Sequence, residues 1–544
     1  MKFRSIALAA ALCLALTGCQ NTNSQQEQDQ TASSSAVSTG ITDPAGLFSD
    51  RDLAGTYDES QAVSITLTGE SAQCDSGAVS VSGSQIIISD EGIYLVSGTL
   101  SDGQIVINAQ DTDKVQIVLS GADITSSTSA AIYALEADKV FITLAAGTEN
   151  TLTNGGEYVA IDENNIDGVI FAKTDLTLNG SGSLTINAQA GHGVVSKDDL
   201  VVGGGTYTIT AASHGLSGKD SVAIADGSMT ITSGKDGIHA ENTDDETLGF
   251  LYIADGTVTI DAQGDAISAS GALQVDEGSF DLTAGGGSAT VTLTASSGLE
   301  AGGRGGWTPQ TQQTTSDDTQ EDSTSQKGIK AEGTLTLSGG SFSIDTADDG
   351  VHAGGDLVIA AGDFTLSSGD DAIHSDSAVT IQGGTFTIPY CYEGIEGLSV
   401  TIDDGTFDIT SYDDGLNAAG GADSSGFGGM RQEQFSSGSD NFILINAGTF
   451  TVVSSGDCLD SNGDLTINGG TLNLTCNGSG NTALDCDGTY THNGGDVTTN
   501  DGSESNPSGM GGGRGGQMGE APKEAGDFAG RGTPPTPPED VPTI

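Results

Sequence analysis

The chain has 544 residues, among them 82 glycines, and only 17% of its side chains are charged, which argues for many turns rather than long helices. Acidic residues outnumber basic ones 75 to 16, for a formal net charge of −59. Nucleic acid and anionic lipid surfaces are therefore poor direct partners, and cations are the natural ones.

At the N-terminus Lys2 and Arg4 precede an apolar run from Ile6 to Leu16, the order of an export signal and too short to span a bilayer. The run ends in Leu16-Thr17-Gly18-Cys19, which resembles the lipobox of bacterial lipoproteins. Residues 1–18 are thus expected to be a signal peptide, Cys19 the lipidated residue, and residues 19–55 a polar tether. The mature protein would sit on the extracellular face of the cell membrane, joined to it through the lipid. Five cysteines follow, Cys74, Cys391, Cys458, Cys476 and Cys486, and one disulfide among the last three is expected in an oxidising exterior. No Cys-x-x-Cys spacing suggests a zinc or iron–sulfur centre.

From Gly182 a repeat organises the chain: Gly, a small polar residue, then apolar-any-apolar, starting again at Gly205, Gly227, Gly256, Gly278, Gly340, Gly362, Gly384, Gly405, Gly448 and Gly470. Most gaps are 21 to 23 residues. A second motif keeps the same spacing, as in Asp236-Gly237-Ile238-His239, Asp349-Gly350-Val351-His352 and Asp371-Ala372-Ile373-His374. Between Val351 and Ile373 the apolar residues fall into three short alternating stretches, which gives three strands per coil of about 22 residues. One such coil cannot bury its own inward side chains, but stacked coils can. The expected fold is all-β, a right-handed parallel β-helix over residues 56–501, with Ala62 to Gly155 as its cap and first coils. Phe342, Phe364, Phe386, Phe407 and Phe450 are expected to stack inside it. Insertions at residues 241–250, 302–326 and 420–439 each follow a corner spelled apolar-any-Ala, and so are expected on one side of the solenoid. Residues 502–544, rich in Gly and then Pro, are expected to be disordered.

Alignment of the coils on the corner glycine gives a preceding column of His192, His214, Asp236, Asp265, Lys327, Asp349, Asp371, Glu393, Asp414 and Asp457. One position earlier stand Asp348, Asp370 and Asp413. Two residues after the glycine come His239, Ser268, Lys330, His352, His374, Glu396, Asn417 and Asp460. Carboxylates about 4.8 Å apart repel by roughly 3.5 kcal/mol at an effective dielectric of 20, and no Lys or Arg occurs from Ala331 to Met430. A hard divalent ion is expected to balance them, calcium ahead of magnesium because calcium accepts more oxygens in looser geometry. The alternative is a solvated acidic ridge. Histidines beside the acids are expected to hydrogen-bond them or face solvent, and a transition-metal site ranks behind calcium.

The tandem Gly-Thr-Phe-Thr-Ile and Asp-Asp-Gly-Val-His-Ala coils, with the lipobox and the Gly-rich insertions, resemble the bacterial carbohydrate-binding family of calcium-bound, pectate-lyase-like β-helices. The resemblance runs from about Thr56 to Asp501. It implies binding of extracellular acidic polysaccharide such as polygalacturonate, with affinity for cellulose and without established catalysis. It also makes Asp348, Asp349, Asp370, Asp371, Glu393, Asp413, Asp414 and Asp457 candidate calcium ligands. Calcium shared between protein and sugar carboxylates would reconcile two partners of like charge. Tyr390, Tyr392 and Tyr412 beside the corner, and Trp307 in its Gly-rich loop, are candidate saccharide contacts.

Two alternatives stay open. A calcium-dependent polysaccharide lyase or a glycoside hydrolase is the enzymatic one, with Lys327, Lys330 and Arg431 as the basic residues nearest the acids. The other is a non-enzymatic adhesin or spacer in which calcium only stiffens the solenoid.

Overall fold

A computed structural model describes residues 41, 44–293, 325–419, 441–505 and 507. Cys19 and its polar tract, Trp307 and Arg431 lie outside them. The coil that begins at Ser341 shows how the repeat folds. Ser341–Thr346 forms its first strand, Val351–Ala353 its corner strand and Leu357–Ile359 its third, before Asp363–Ser368 opens the next coil. Each strand pairs in parallel with its counterpart one coil later: Phe342 with Phe364, Val351 with Ile373, Leu357 with Val379. Repetition of this pairing yields three parallel sheets wrapped around one core, a β-solenoid.

The alternation in sequence becomes alternation in burial. In Thr206–Ala211, Ser228–Ser233 and Thr257–Ala262 every second side chain points inward and is buried. The Phe ladder stands in this core, with Phe280 below the five expected rings and all neighbours stacked at 4.6 to 4.8 Å. Each ring folds back beneath the repeat glycine two residues before it. At Gly362, with φ +132°, a Cβ would lie 2.8 Å from the Phe364 ring, so space and backbone both demand glycine.

At the N-terminal end the parallel rule gives way. Val79–Ser82 and Gln85–Ile88 pair antiparallel, as do Thr66–Leu67 and Ala72–Gln73. Part of the segment expected as tether is folded. Asp50–Ala54 is a short helix whose N-cap, Ser49, forms a capping box with Asp52. Asp52 is buried against the third sheet, where Lys139 Nζ lies 2.9 Å away and Thr177 donates to it at 2.5 Å. Arg51 sits 4.3 Å over the Phe141 ring.

The insertions expected at residues 302–326 and 420–439 lie almost wholly outside the described residues. Residues 241–250 follow the corner strand Ile238–Ala240, and the described residues break off after Ala419, beyond the corner strand Leu416–Ala418. The middle excursion departs at Gly285, after the first-sheet strand Ser279–Ala284, and returns at the corner residue Lys327. Ile267 pairs directly with Ile329, so the corner strand next in the stack is Ile329–Ala331, and Leu299-Glu300-Ala301 lies outside the described residues. Among the described residues, 241–250 thus follow a corner strand and 285–293 follow a first-sheet strand.

The five cysteines among the described residues are free thiols, contrary to the expected disulfide. Cys458 lies 3.2 Å from Ser454 Oγ, while Cys476 and Cys486 point at the carbonyls of Gly456 and Pro507. Burial pushes the Cys458 thiol up to about 12.

Candidate functional site

The corner requires glycine where coils approach closely: a Cβ on Gly415 would meet Cys458 O at 2.5 Å. Through this turn the backbone pairing continues, with Gly350 N–H on Asp371 O and Gly394 N–H on Asp414 O. The residue just before the glycine has its own N–H left over, and the preceding coil's corner side chain accepts it. Asp236 Oδ1 takes Asp265 N–H at 2.9 Å, Asp265 Oδ1 takes Lys327 N–H at 2.7 Å, and Asp349 Oδ1 takes Asp371 N–H at 3.1 Å. Asp371 does the same for Glu393, and Asp414 and Asp457 for Asp457 and Thr482. His192 and His214 serve through Nδ1. Lys327 cannot accept, and there Asp349 N–H turns to Asp348 Oδ1 at 3.0 Å, while Glu393 accepts instead from Asn417 Nδ2 at 2.9 Å. The column thus has a backbone role that its composition alone did not reveal: a buried N–H without an acceptor would cost about 1–3 kcal/mol.

The charge balance differs from expectation in one half of the column. Lys327 Nζ reaches Asp348 Oδ1 at 2.9 Å and Asp349 Oδ2 at 2.6 Å, so a protein cation does serve these two acids. His352 adds a contact to Asp349 at 2.9 Å. Burial by itself would raise the Asp349 pKa, but Lys327 and His352 together hold it well below the usual carboxylate range. One coil on, His374 touches Asp371, Glu396 and Asp376 at 3.1, 3.0 and 3.2 Å. Burial opposes its charge, yet these carboxylates hold it protonated well above the ordinary imidazole range.

Beyond His374 the pattern changes. The position two residues after the glycine, His352 and His374 in the preceding coils, becomes Glu396, Asn417, Asp460 and then Asp485, in register through the stack. Burial and neighbouring acids raise Glu393 and Asp414 well above the usual range, and put Asp457 at about 6 and Asp460 at about 7. Asp457, Asp460 and Asp485 bring ligand oxygens within 4.8 Å of one another. Asn417, 5% exposed, donates to Glu393 Oε2 at 2.9 Å but leaves its Oδ1 buried without a partner. Asp348, Asp349 and Asp370 form another group of oxygens, the one that Lys327 enters.

The tyrosines are half-buried rather than exposed. Tyr390 and Tyr412 meet edge to face at 5.4 Å, and Tyr390 donates to Val291 O at 3.2 Å, which pins it to the start of the middle excursion. Tyr392 and Tyr412 flank the corner, their backbone N–H groups bonded to Asp370 O and Cys391 O. Both lysines named as bases are engaged, Lys327 as above and Lys330 with Glu332 at 2.8 Å.

A family model described as carbohydrate-binding domain-containing protein matches residues 82–372, 351–394 and 370–514. The chain belongs to this family. A carbohydrate-binding domain-containing protein of Acetivibrio thermocellus is 33% identical over 215 residues, which span 39% of this chain and 66% of that relative, just under two thirds of its length. Among solved structures, the polysaccharide lyase-like protein from C. thermocellum, in its gadolinium derivative, is 28% identical. The match covers 55% of this chain and 97% of that one, with a TM-score of 0.39.

Proposed function

We propose that this protein is a cell-surface carbohydrate-binding protein that takes acidic polysaccharide, such as polygalacturonate, through calcium held at the corner between Asp413 and Asp485. The change along one column carries the reading: coils with His352 and His374 neutralise their own acids, and those with Asn417, Asp460 and Asp485 offer oxygens instead. An all-oxygen set of carboxylates with a buried, unpartnered amide oxygen on Asn417 fits a hard cation of flexible coordination. Asp413, Asp414, Asp457, Asp460, Asp485 and Asn417 would hold it. Bound there, calcium would supply positive charge that both protein and sugar carboxylates can share. Asp348, Asp349, Asp370 and Asp371 rank lower as ligands, because Lys327, His352 and His374 already face members of that group.

Family membership supports a saccharide partner, and Tyr392 and Tyr412 stand beside the acids to meet its rings. Ion-paired Lys327 and Lys330 favour binding over a lyase. We place the protein outside the membrane, anchored through Cys19. Sedimentation with insoluble pectate and with cellulose, in calcium and in chelator, tests the reading. Calcium-dependent retention on pectate is expected, without release of unsaturated ends. Retention unchanged by chelation would remove calcium from the account, and steady release of unsaturated ends would make the protein a lyase.

A further inference from the structure

We propose that Asp371, His374 and Glu396 form a site for one zinc-class transition-metal ion, separate from the oxygen-only corner beyond it. His374 Nδ1 lies 3.1 Å from Asp371 Oδ2 and 3.0 Å from Glu396 Oε2, and the three ligand atoms fall within 4.8 Å of one another. Tetrahedral zinc with bonds of about 2.0 to 2.1 Å separates its ligands by about 3.3 Å, so these contacts need to open only slightly. A nitrogen donor among the three selects against calcium, which takes oxygen, and for zinc, copper or nickel.

The surroundings are those of a ligand histidine. Its other nitrogen, Nε2, lies 3.2 Å from Asp376 Oδ1, the outer carboxylate that orients an imidazole and strengthens it as a donor. The His352 ring stacks on it at 5.0 Å and 5°, which fixes its plane. Asp371 commits Oδ1 to Glu393 N–H and leaves Oδ2 for the site. His374 and Asp371 are buried, whereas Glu396 and Asp376 reach the surface and open a path of entry. The metal takes the place of the proton on Nδ1, which leaves to solvent.

The same spelling recurs once. Asp236, His239 and Glu241 repeat the Asp-x-x-His-x-acid order, with contacts of 2.7 Å at Nδ1 and 3.5 Å at Nε2, and His214 forms a group of three with Asp236 and His239. In the coil of Asp349 and His352 the outer acid is replaced by Gly354, and Lys327 occupies the carboxylate. Side-chain and metal cations thus alternate as ways to neutralise one corner.

The test is zinc titration of the metal-stripped full chain in excess calcium, followed by metal analysis of the desalted protein. Wild type should retain one more equivalent of zinc than H374Q, and D376N should keep that equivalent with affinity about 10- to 100-fold weaker. Cobalt in place of zinc should give visible absorption bands that H374Q loses. E396Q, at the surface, replaces H374Q if the latter fails to fold. Equal zinc in wild type and a folded variant, or no cobalt bands in wild type, would overturn the proposal. Calcium binding at the acidic corner is read in the same samples and stands or falls separately.

Discussion

Lys327 Nζ lies 2.6 Å from Asp349 Oδ2 and 2.9 Å from Asp348 Oδ1, bridging to the next coil across 22 and 21 residues of sequence. Both Lys327 and Asp349 are shut off from solvent. Removal of the lysine alone strands a buried carboxylate. K327M is expected to lower stability by about 3–5 kcal/mol, with much of the loss recovered in K327M/D349N. Denaturant midpoints of the two variants check this.

Asp414 separates the two duties of the corner acids. Its Oδ1 accepts Asp457 N–H, and its charge is raised in energy by burial and by Asp460, Asp413 and Asp457. D414N keeps an acceptor and removes the charge, so it should raise the apo melting point while weakening calcium. D414A loses the acceptor as well and should cost about 1–3 kcal/mol. If the two variants melted alike, the backbone duty would be unimportant.

Stability should fall as pH rises from about 6.5 to 9 in chelator. His239 is raised to about 9, burial opposing and Asp236 and Glu241 outweighing it, and His374 is raised as well. Each binds a proton in the folded state that the unfolded chain, with a pKa of about 6.5, has released, so its stabilisation is present below that value and lost above the folded one. Asp460, at about 7, acts in the same direction at the low end of this window. Below about 6.5 the sign is contested, because burial lowers His192 to about 4 and His214 to about 3, and their stabilisation disappears as pH falls. Melting curves across this range, with and without calcium, should show the alkaline loss reduced by the ion.

Within the core, Phe386 stacks at 4.8 Å on both Phe364 and Phe407. F386A should cost about 3–5 kcal/mol, measured by denaturant unfolding, and leave calcium binding at Asp457 intact.

The solenoid was legible because the coil repeats its glycine and its inward side chains at one spacing, so Phe342 to Phe450 could be read as a column. The corner acids were legible for the same reason. Neutralisation by Lys327 was not, since the stretch without basic residues starts just after it, at Ala331, and stacking joins residues that sequence separates. Asp485 was not legible because its coil spells the corner Thr482-Ala483, without acid or glycine. The helix at Asp50–Ala54 is too short to show a period, and only its Ser49–Asp52 capping box marks it. The change from His374 to Glu396 and Asn417 stood in the sequence, but its meaning needed the register that places them in one line.

Calorimetric titration of polygalacturonate into the metal-stripped chain and into the calcium-loaded chain decides whether calcium carries the sugar. Binding heat is expected only with calcium, lost in D460N/D485N and retained in K327M. Equal binding in chelator and calcium, or full binding by D460N/D485N, would contradict it.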